Sequence, residues 1–180
     1  MMKILFRQVV TKEETATIVR LANTIWKEHY TPIIGREQVT YMLKTYHSFE
    51  TVSQEVQERS TRYYLLFKED HAVGYVGVRS EETCLFLSKL YLLSQERGHG
   101  FGAQAVDFIK TLAREQQLEK VRLTVNKENF DAISAYKKMG FKVTNKVSAD
   151  IGEGYVMDDY EMELETAQSE DHKRDMQENI

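Results

Sequence analysis

The chain has 180 residues, 24 Lys+Arg against 28 Asp+Glu, and a formal net charge of −4 at pH 7. That length suits one domain, and a hydrophobic share of 42% supports a core, which excludes a chain that is disordered throughout. The acidic balance gives no electrostatic reason to expect a nucleic acid partner. No apolar run is long enough to cross a membrane. The single cysteine, Cys84, excludes an internal disulfide and a CxxC metal site, so a reducing, cytoplasmic setting is expected.

The first third of the chain predicts one strand followed by helices. Residues 4–10 have the pattern of a strand, and Thr11 with Glu14 three positions later forms a capping box for the next helix. This helix is expected to end near Tyr30, because Pro32 disfavours helical geometry at the residue before it. Apolar residues at helical spacing predict a second helix over 39–46. Residues 49–56 are either its continuation or a third short helix.

From residue 61 onward the pattern changes to strands, with helices between some of them. The segments 63–67 and 72–78 predict an antiparallel hairpin, and a longer strand precedes a glycine-rich loop. The order of elements indicates one α/β domain over residues 1–165 with a mixed sheet. Residues 166–180 are polar and predict a tail without a fixed fold. The remaining predicted elements are a strand over 83–93, a helix over 105–113, a strand over 121–125, a helix over 130–139 capped by Gly140, and strands over 142–151 and 155–164.

Three glycines at alternate positions, Gly98, Gly100 and Gly102, join a predicted strand to a predicted helix. Glycine adopts positive φ easily, so several N–H groups of such a loop can point into one small space at the positive end of the helix. That arrangement suits a phosphate or pyrophosphate group. Arg97, directly before the loop, could add a charge-assisted contact.

A dinucleotide-binding loop is one alternative, because Gly98, Gly100 and Ala103 formally fit the Rossmann fingerprint. That motif requires an acidic residue at the end of the next strand. Here the strand ends at Asn126, and Glu128 comes too late. An antiparallel hairpin also precedes the loop, where a Rossmann unit opens with parallel strands. The sequence therefore disfavours this alternative. A Walker A loop does not fit, since no Gly-Lys-Ser/Thr follows the glycines.

A second pattern follows the next strand, where Asn129 and Tyr136 lie seven residues apart. Seven helical steps return to within roughly 20° of the same face, so the two side chains line one side of a helix. Taken alone, each residue fits an ordinary helix cap or a half-buried aromatic. Taken with the glycine loop, the pattern resembles the GNAT superfamily of N-acetyltransferases. The matching positions are Gln95, Gly98 and Gly100 in the loop, and Asn129, Ala132, Tyr136, Gly140 and Phe141 in the later block.

The resemblance implies a GNAT-like α/β (α+β) fold, in which a mixed, mostly antiparallel sheet of about seven strands is flanked by helices. A splay between strands 4 and 5 would hold the pantetheine arm of acetyl-CoA. Asn129 would bond the cofactor near the pantetheine, and Tyr136 would lie near its sulfur. Main-chain groups of Leu90, Tyr91 and Leu92 would pair with the pantetheine amides. The N–H groups of Arg97, Gly98, His99, Gly100, Phe101, Gly102 and Ala103 would hold the pyrophosphate.

The implied activity is transfer of an acetyl group from acetyl-CoA to a primary amine by direct attack, without a metal. An amine with a pKa of about 10 is mostly protonated at neutral pH, so a base or a water chain must remove a proton. A backbone N–H of strand 4, such as that of Leu92, could stabilise the oxyanion. Tyr136 is the candidate general acid for the departing thiolate.

The sequence assigns no general base. Glu81 and Glu82 fit turn residues, His29 fits a helix C-terminus, and His99 lies inside the phosphate loop. A non-catalytic acyl-CoA-binding or sensor protein with the same fold is therefore the second functional class.

The acceptor, a small-molecule or peptide amine, is also unassigned, and polyamines, amino acids, antibiotics and protein amino groups all stay open. Residues 26–46 and the turn at 152–155 are expected to shape its site, and Asp158 and Asp159 could favour a cationic amine. Residues named for the first region are Trp26, His29, Tyr30, Pro32 and Tyr41. Members of the family are often dimers, so a homodimer is compatible with the resemblance.

Overall fold

A computed structural model of the chain describes residues 2–166; the remainder of the predicted tail lies outside the described residues. Strands and helices follow one another in the order that the sequence predicts. The strands are β1 (Leu5–Gln8), β2 (Arg62–Lys68), β3 (His71–Ser80), β4 (Cys84–Leu92), β5 (Lys120–Asn126), β6 (Lys142–Gly152) and β7 (Tyr155–Glu165). The helices are α1 (Lys12–Ile34), α2 (Arg36–Tyr46), α3 (Phe49–Glu58), α4 (Phe101–Glu115) and α5 (Phe130–Lys138), with a short 3₁₀ turn at Ser94–Glu96.

The described strands form a sheet in the order β1-β2-β3-β4-β5-β7-β6. The pairs β1–β2, β2–β3, β5–β7 and β6–β7 are antiparallel, whereas β4 and β5 are parallel. The register between β4 and β5 runs from Cys84↔Lys120 to Leu87↔Leu123, while β4 itself continues to Leu92. These observations confirm the predicted mixed, mostly antiparallel sheet.

Helix α1 begins as predicted but ends later. Thr11 accepts a bond from the N–H of Glu14, whose carboxylate accepts from the N–H of Thr11, so the capping box is complete. The predicted end near Tyr30 is wrong, because the helix continues through Pro32 to Ile34. A proline this close to a helix end removes a single intrahelical bond, and Gly35, with φ +85°, ends the helix instead. Helix α3 is separate from α2 and starts at its own cap, Ser48.

The described residues divide into two compact units. The first, which comprises the described residues up to Arg79 together with Ser88–Ala105, contains β1–β3, α1–α3, the end of β4 and the glycine loop. The second contains Ser80–Leu87 and the described residues from Val106 onward, including β5–β7 and α5. Thr166 ends the described chain in the second unit, where it is buried and bonds the carbonyl groups of Leu118 and Glu119. Thr166 is thus a buried residue, although the sequence analysis placed it in the tail.

Candidate cofactor and acceptor sites

Two of the three glycines in the loop have the positive φ that the sequence predicts. Gly98 and Gly100 adopt φ values of +77° and +79°, whereas Gly102 already lies inside α4. A Cβ at Gly98 would meet nothing within 4 Å, so glycine is needed there for its conformation rather than for space. The bond from Gln104 N to Gly100 O, 3.1 Å long, opens the helical pattern. The N–H groups of the preceding helical residues therefore lie at the positive end of α4, and this backbone fits a diphosphate anion.

Two contacts hold this loop in place within the first unit. Lys68 on β2 forms a 3.0 Å ion pair with Glu96 in the 3₁₀ turn. Gln104 on α4 accepts a 2.9 Å bond from the N–H of Ile4 and donates a 2.8 Å bond to the carbonyl of Met2. The loop is thus fixed at both ends before any ligand contact is made.

The side chain of Arg97 contacts protein groups on β4 and α1. Its guanidinium donates to the carbonyl of Leu92 at 3.2 and 3.3 Å, and Nη1 lies 3.2 Å from Nδ1 of His29 on α1. Its backbone N–H donates to Ser94 O at 3.3 Å. In this structure Arg97 therefore joins the end of β4 to α1, and its contact with the pyrophosphate stays a prediction.

The end of β4 lies unusually close to β3. A Cβ added at Gly74 would lie 2.3 Å from the carbonyl oxygen of Tyr91 and 2.9 Å from Cδ2 of Leu92. The N–H of Leu93 donates to Val73 O at 2.9 Å, which fixes the register at this point. The segment expected to pair with pantetheine is thus placed by a glycine on the neighbouring strand.

An aromatic cluster packs against Tyr91 within the first unit. Trp26 and Tyr30 of α1 stack with ring centroids 4.3 Å apart, and the Tyr91 ring lies 5.6 Å from Trp26. Tyr75 of β3 lies 5.4 Å from Tyr91, and burial raises the pKa of its phenol. Trp26 and Tyr30 were expected near the acceptor, and the structure places both in this buried packing.

His47, which the sequence analysis did not single out, belongs to the same cluster. Its ring lies 4.7 Å from that of Trp26, and the residue is 3% exposed. Burial lowers the pKa of His47 well below its ordinary value, and the nearby ammonium of Lys89 lowers it further. The sequence did carry one indication that His47 is buried: it lies four residues after Leu43 and eight after Val39, which are both buried on α2.

Lys89 of β4 lies in a second buried polar network. Its ammonium is 2.8 Å from Oη of Tyr63 and 3.9 Å from a carboxylate oxygen of Glu55 on α3. The Tyr63 hydroxyl also donates to Glu55. Burial lowers the pKa of Lys89 and raises that of Tyr63. These three residues are placed together only by the tertiary fold.

In the second unit, α5 carries both residues of the later motif. Asn129 takes the N-cap position and is 4% exposed, but its side chain makes no capping bond to the helix. Tyr136 packs against Phe141 with ring centroids 5.3 Å apart. Gly140 follows the helix with φ +100°, as predicted, and a Cβ there would lie 3.2 Å from Cδ1 of Leu164.

Charged side chains cover one face of β5 and β7 in the second unit. Lys120 pairs with Glu163 at 3.0 Å, and Arg122 pairs with Glu161 at 3.0 Å. Glu81, predicted as a turn residue, also pairs with Arg122. Burial, together with the neighbouring carboxylate of Asp158, raises the pKa of Asp159 to about 6.

Comparison with known proteins identifies the fold and its relatives. Residues 20–141 match the acetyltransferase (GNAT) family. Peptidyl-lysine N-acetyltransferase YjaB of Salmonella typhimurium is 33% identical over 88 residues, which cover 48% of this chain and 54% of that relative. The match therefore spans about half of that protein. Spermidine N(1)-acetyltransferase of Thermoplasma acidophilum is 22% identical over 77% of this chain and 88% of the relative.

Solved structures show the same fold. The PaiA N-acetyltransferase of Thermoplasma acidophilum, in complex with coenzyme A, superposes with a TM-score of 0.76 at 22% identity, over 91% of this chain and 99% of the other. A spermidine N-acetyltransferase of Vibrio cholerae, in complex with CoA and spermine, gives 0.65 at 15% identity over 91% and 95%.

Residues 2–166 contain neither a membrane-spanning helix nor a cluster of metal-binding side chains. No helix there is long and apolar enough to cross a membrane. No group of three or more His, Cys, Asp or Glu side chains in that range is arranged to hold a metal ion. The prediction that no metal takes part stays untested.

Proposed function

Since the chain belongs to the GNAT family of acetyltransferases, we propose that it is an acetyl-CoA-dependent N-acetyltransferase that acts on a primary amine. The observation that carries this proposal is the glycine loop, where Gly98 and Gly100 have positive φ directly before the N-terminus of α4. This backbone offers N–H groups and a helix dipole to a diphosphate anion and requires no excess of basic side chains.

The donor would be held by the residues that the family pattern assigns. Acetyl-CoA supplies the acetyl group as a thioester. The N–H groups from Gly98 to Ala103 would hold its pyrophosphate, and Leu90, Tyr91 and Leu92 would pair with the pantetheine amides. The N–H of Arg97, which the pattern also assigns to the pyrophosphate, donates to Ser94 O in this structure. The close approach of β3 at Gly74 holds the backbone of Tyr91 and Leu92 in place at this position.

The acceptor nitrogen must lose a proton before it attacks, because its lone pair forms the new C–N bond. The C–S bond then breaks, and its electron pair leaves on sulfur. We propose that the N–H of Leu92 stabilises the oxyanion that forms on the thioester oxygen, and that the phenol of Tyr136 protonates the thiolate. In total an ammonium and a thioester give an N-substituted acetamide, a thiol and one released proton. Both assignments come from the family resemblance.

Ligand binding and turnover test the proposal separately. Isothermal titration and thermal shift with acetyl-CoA, CoA and NAD(P) should show binding of the first two alone. Release of free thiol from acetyl-CoA on addition of a primary amine should then establish catalysis. Binding without thiol release over a broad amine panel would instead favour a non-catalytic acyl-CoA sensor. Stabilisation by NAD(P) alone would contradict the proposal.

The loop itself is tested by a matched pair of variants. Gly98→Ala should weaken CoA binding, because alanine disfavours the φ of +77° that the loop requires. Gly154→Ala is the control, since Gly154 in the β6–β7 turn has φ +79° and equally open space around its Cβ position. Both variants should lose about 1 kcal/mol of stability. Equal CoA affinity in the two would remove Gly98 from the cofactor site.

Tyr136→Phe tests the proposed acid. Turnover should fall by roughly 10²-fold, the lower end of general acid catalysis, while the dissociation constant of acetyl-CoA changes little. Unchanged turnover would exclude Tyr136 as the acid and leave its packing against Phe141 in place.

The acceptor class and the setting complete the proposal. Relatives are named for spermidine and for peptidyl-lysine, so we propose an aliphatic amine of a small molecule or a protein side chain as acceptor. We place the protein in the cytoplasm and infer a homodimer, which size-exclusion chromatography with light scattering would test.

A further inference from the structure

The charged face of the second unit is organised as a ladder of diagonal ion pairs. On β5, Lys120, Arg122 and Thr124 alternate along the strand and therefore point to the same face. On β7, Glu163, Glu161 and Asp159 do the same in the antiparallel direction. Two rungs are complete, since Lys120 bonds Glu163 and Arg122 bonds Glu161, each at 3.0 Å.

The third diagonal pair of the ladder has a carboxylate, that of Asp159, but a threonine where the other two pairs have a Lys or Arg. The diagonal that joins Lys120 to Glu163 and Arg122 to Glu161 joins Thr124 to Asp159. Thr124 is neutral and exposed, so the position that a Lys or Arg would fill is open to solvent. The direct register partners of Asp159 are Asn126 on β5 and Val147 on β6, which are also uncharged.

The Asp159 carboxylate shows the consequence of this arrangement. Its Oδ1 is buried and has no hydrogen-bond partner among residues 2–166. The adjacent Asp158 is different, because its side chain is 60% exposed and pairs with Lys127. The two aspartates, considered together from sequence, therefore differ: Asp158 forms an ion pair and is solvated, whereas Asp159 forms no ion pair among the described residues and is influenced by Lys127 only at longer range.

The position of Asp159 favours a ligand role. It pairs in register with Asn126, the last residue of β5, from which a short turn leads to α5 with Asn129 and Tyr136. Asn126 Oδ1 accepts a 2.9 Å bond from the N–H of Glu128 in that turn. Asp159 on β7 therefore lies beside the C-terminal end of β5, from which the chain leads to the proposed acid.

We propose that Asp159 binds the ammonium group of the acceptor amine, which completes the third rung of the ladder as Lys120 and Arg122 complete the first two. This inference rests on the proposed function and names its acceptor class. The preferred acceptors are aliphatic primary amines, which are cationic at neutral pH, and not aryl amines, which are uncharged there. Three N–H donors of an ammonium match a carboxylate oxygen without a partner.

The charge of Asp159 gives the proposal a pH signature. The charged groups that influence it are Asp158 on β7, which raises its pKa, and Lys127 after β5, which lowers it. Glu161, two residues along β7, is held by Arg122. Because a protonated carboxyl does not attract a cation, the catalytic efficiency with an aliphatic amine should fall as the pH drops through about 6.

Two variants of the ladder, one as the test and one as its control, measure the contribution of Asp159 to amine binding. Asp159→Asn should raise the KM for an aliphatic amine by roughly tenfold or more, with the KM for acetyl-CoA unchanged, and should remove the acidic limb of the pH profile. Glu163→Gln is the control, because it removes a carboxylate from the same face whose cation is already present. An amine KM that rises equally in both variants would overturn the proposal.

A third variant supplies the missing cation of the ladder from the chain itself. Thr124→Lys should place an ammonium beside Asp159, abolish the preference for aliphatic over aryl amines and leave CoA binding intact. Retained preference for aliphatic amines in this variant would count against the inference. Thermal shift with spermidine and with a lysine peptide, on the wild type and Asp159→Asn, reports amine binding without turnover. If acetyl-CoA binds but no amine is acetylated, this measurement still decides the role of Asp159, while the proposed function itself fails.

Discussion

Gly74 provides the most direct test of how the fold places the proposed donor strand. In Gly74→Ala the new methyl group would lie 2.3 Å from Tyr91 O, 2.9 Å from Leu92 Cδ2 and 3.3 Å from Leu92 Cα. Two of these three atoms belong to backbone, which cannot rotate away as a side chain does. Relief therefore requires β3 and β4 to separate at this point, against the bond from Leu93 N to Val73 O.

The expected cost follows from this geometry. Overpacking that forces backbone to move costs typically 1–3 kcal/mol, and the 2.3 Å contact places this variant near the upper end, at about 3 kcal/mol. For a chain of this length, that corresponds to a fall in Tm of roughly 6–12 °C. Gly77→Ala on the same strand is the control. Its Cβ would meet Ser88 Oγ at 3.1 Å and Lys89 Cβ at 3.4 Å, so a cost of about 1 kcal/mol or less is expected.

Urea unfolding of both variants measures the difference in free energy, and titration with CoA measures its functional effect. If Tyr91 pairs with pantetheine through its backbone, Gly74→Ala should also weaken CoA binding, while Gly77→Ala should not. The reasoning fails if the two variants unfold at the same urea concentration. A large loss of stability with unchanged CoA affinity would keep the packing argument and exclude Tyr91 from the donor site.

Three further predictions concern stability. Thr11→Ala removes one half of the capping box and should cost about 1 kcal/mol in urea unfolding. The fold lowers the pKa of His47, so the neutral imidazole contributes its full stabilisation above about pH 6.5, and this stabilisation is lost as the pH falls further. Relative to His47→Gln, the wild type should lose up to about 1.4 kcal/mol of unfolding free energy between pH 7.5 and 5.5. Equal pH slopes would refute the assignment. Glu55→Ala leaves the buried ammonium of Lys89 without its carboxylate and should cost about 2 kcal/mol, part of which Lys89→Met should restore in the double variant.

Elements with a local chemical signal could be predicted from the sequence. The capping box at Thr11, the positive φ of Gly98 and Gly100 and the glycine after α5 all depend on residues within a few positions of each other. The predicted end of α1 was wrong because it also depended on a local rule, that proline ends a helix. Near a helix end, the loss of one hydrogen bond at Pro32 is tolerated.

The buried polar networks could not be predicted, because their members come from distant elements. Lys89, Tyr63 and Glu55 belong to β4, β2 and α3, and no spacing in the sequence relates them. The ladder is an intermediate case. Each strand shows its alternation in the sequence, but the diagonal pairs depend on the register between β5 and β7, which are separated along the chain by α5 and β6.

The net charge of −4 affects the two proposed substrates in different ways. A polyanionic donor would be repelled by an acidic chain if side chains had to hold it, yet the loop offers backbone N–H groups and a helix end, whose charge is independent of the side-chain balance. A cationic acceptor is favoured by the overall charge, but only a carboxylate without a partner can bind it strongly. Glu161 and Glu163 are already neutralised by Arg122 and Lys120. We therefore expect specificity for a cationic acceptor to depend on Asp159, beside which the ladder has Thr124 in place of a Lys or Arg, and not on the excess of acidic residues.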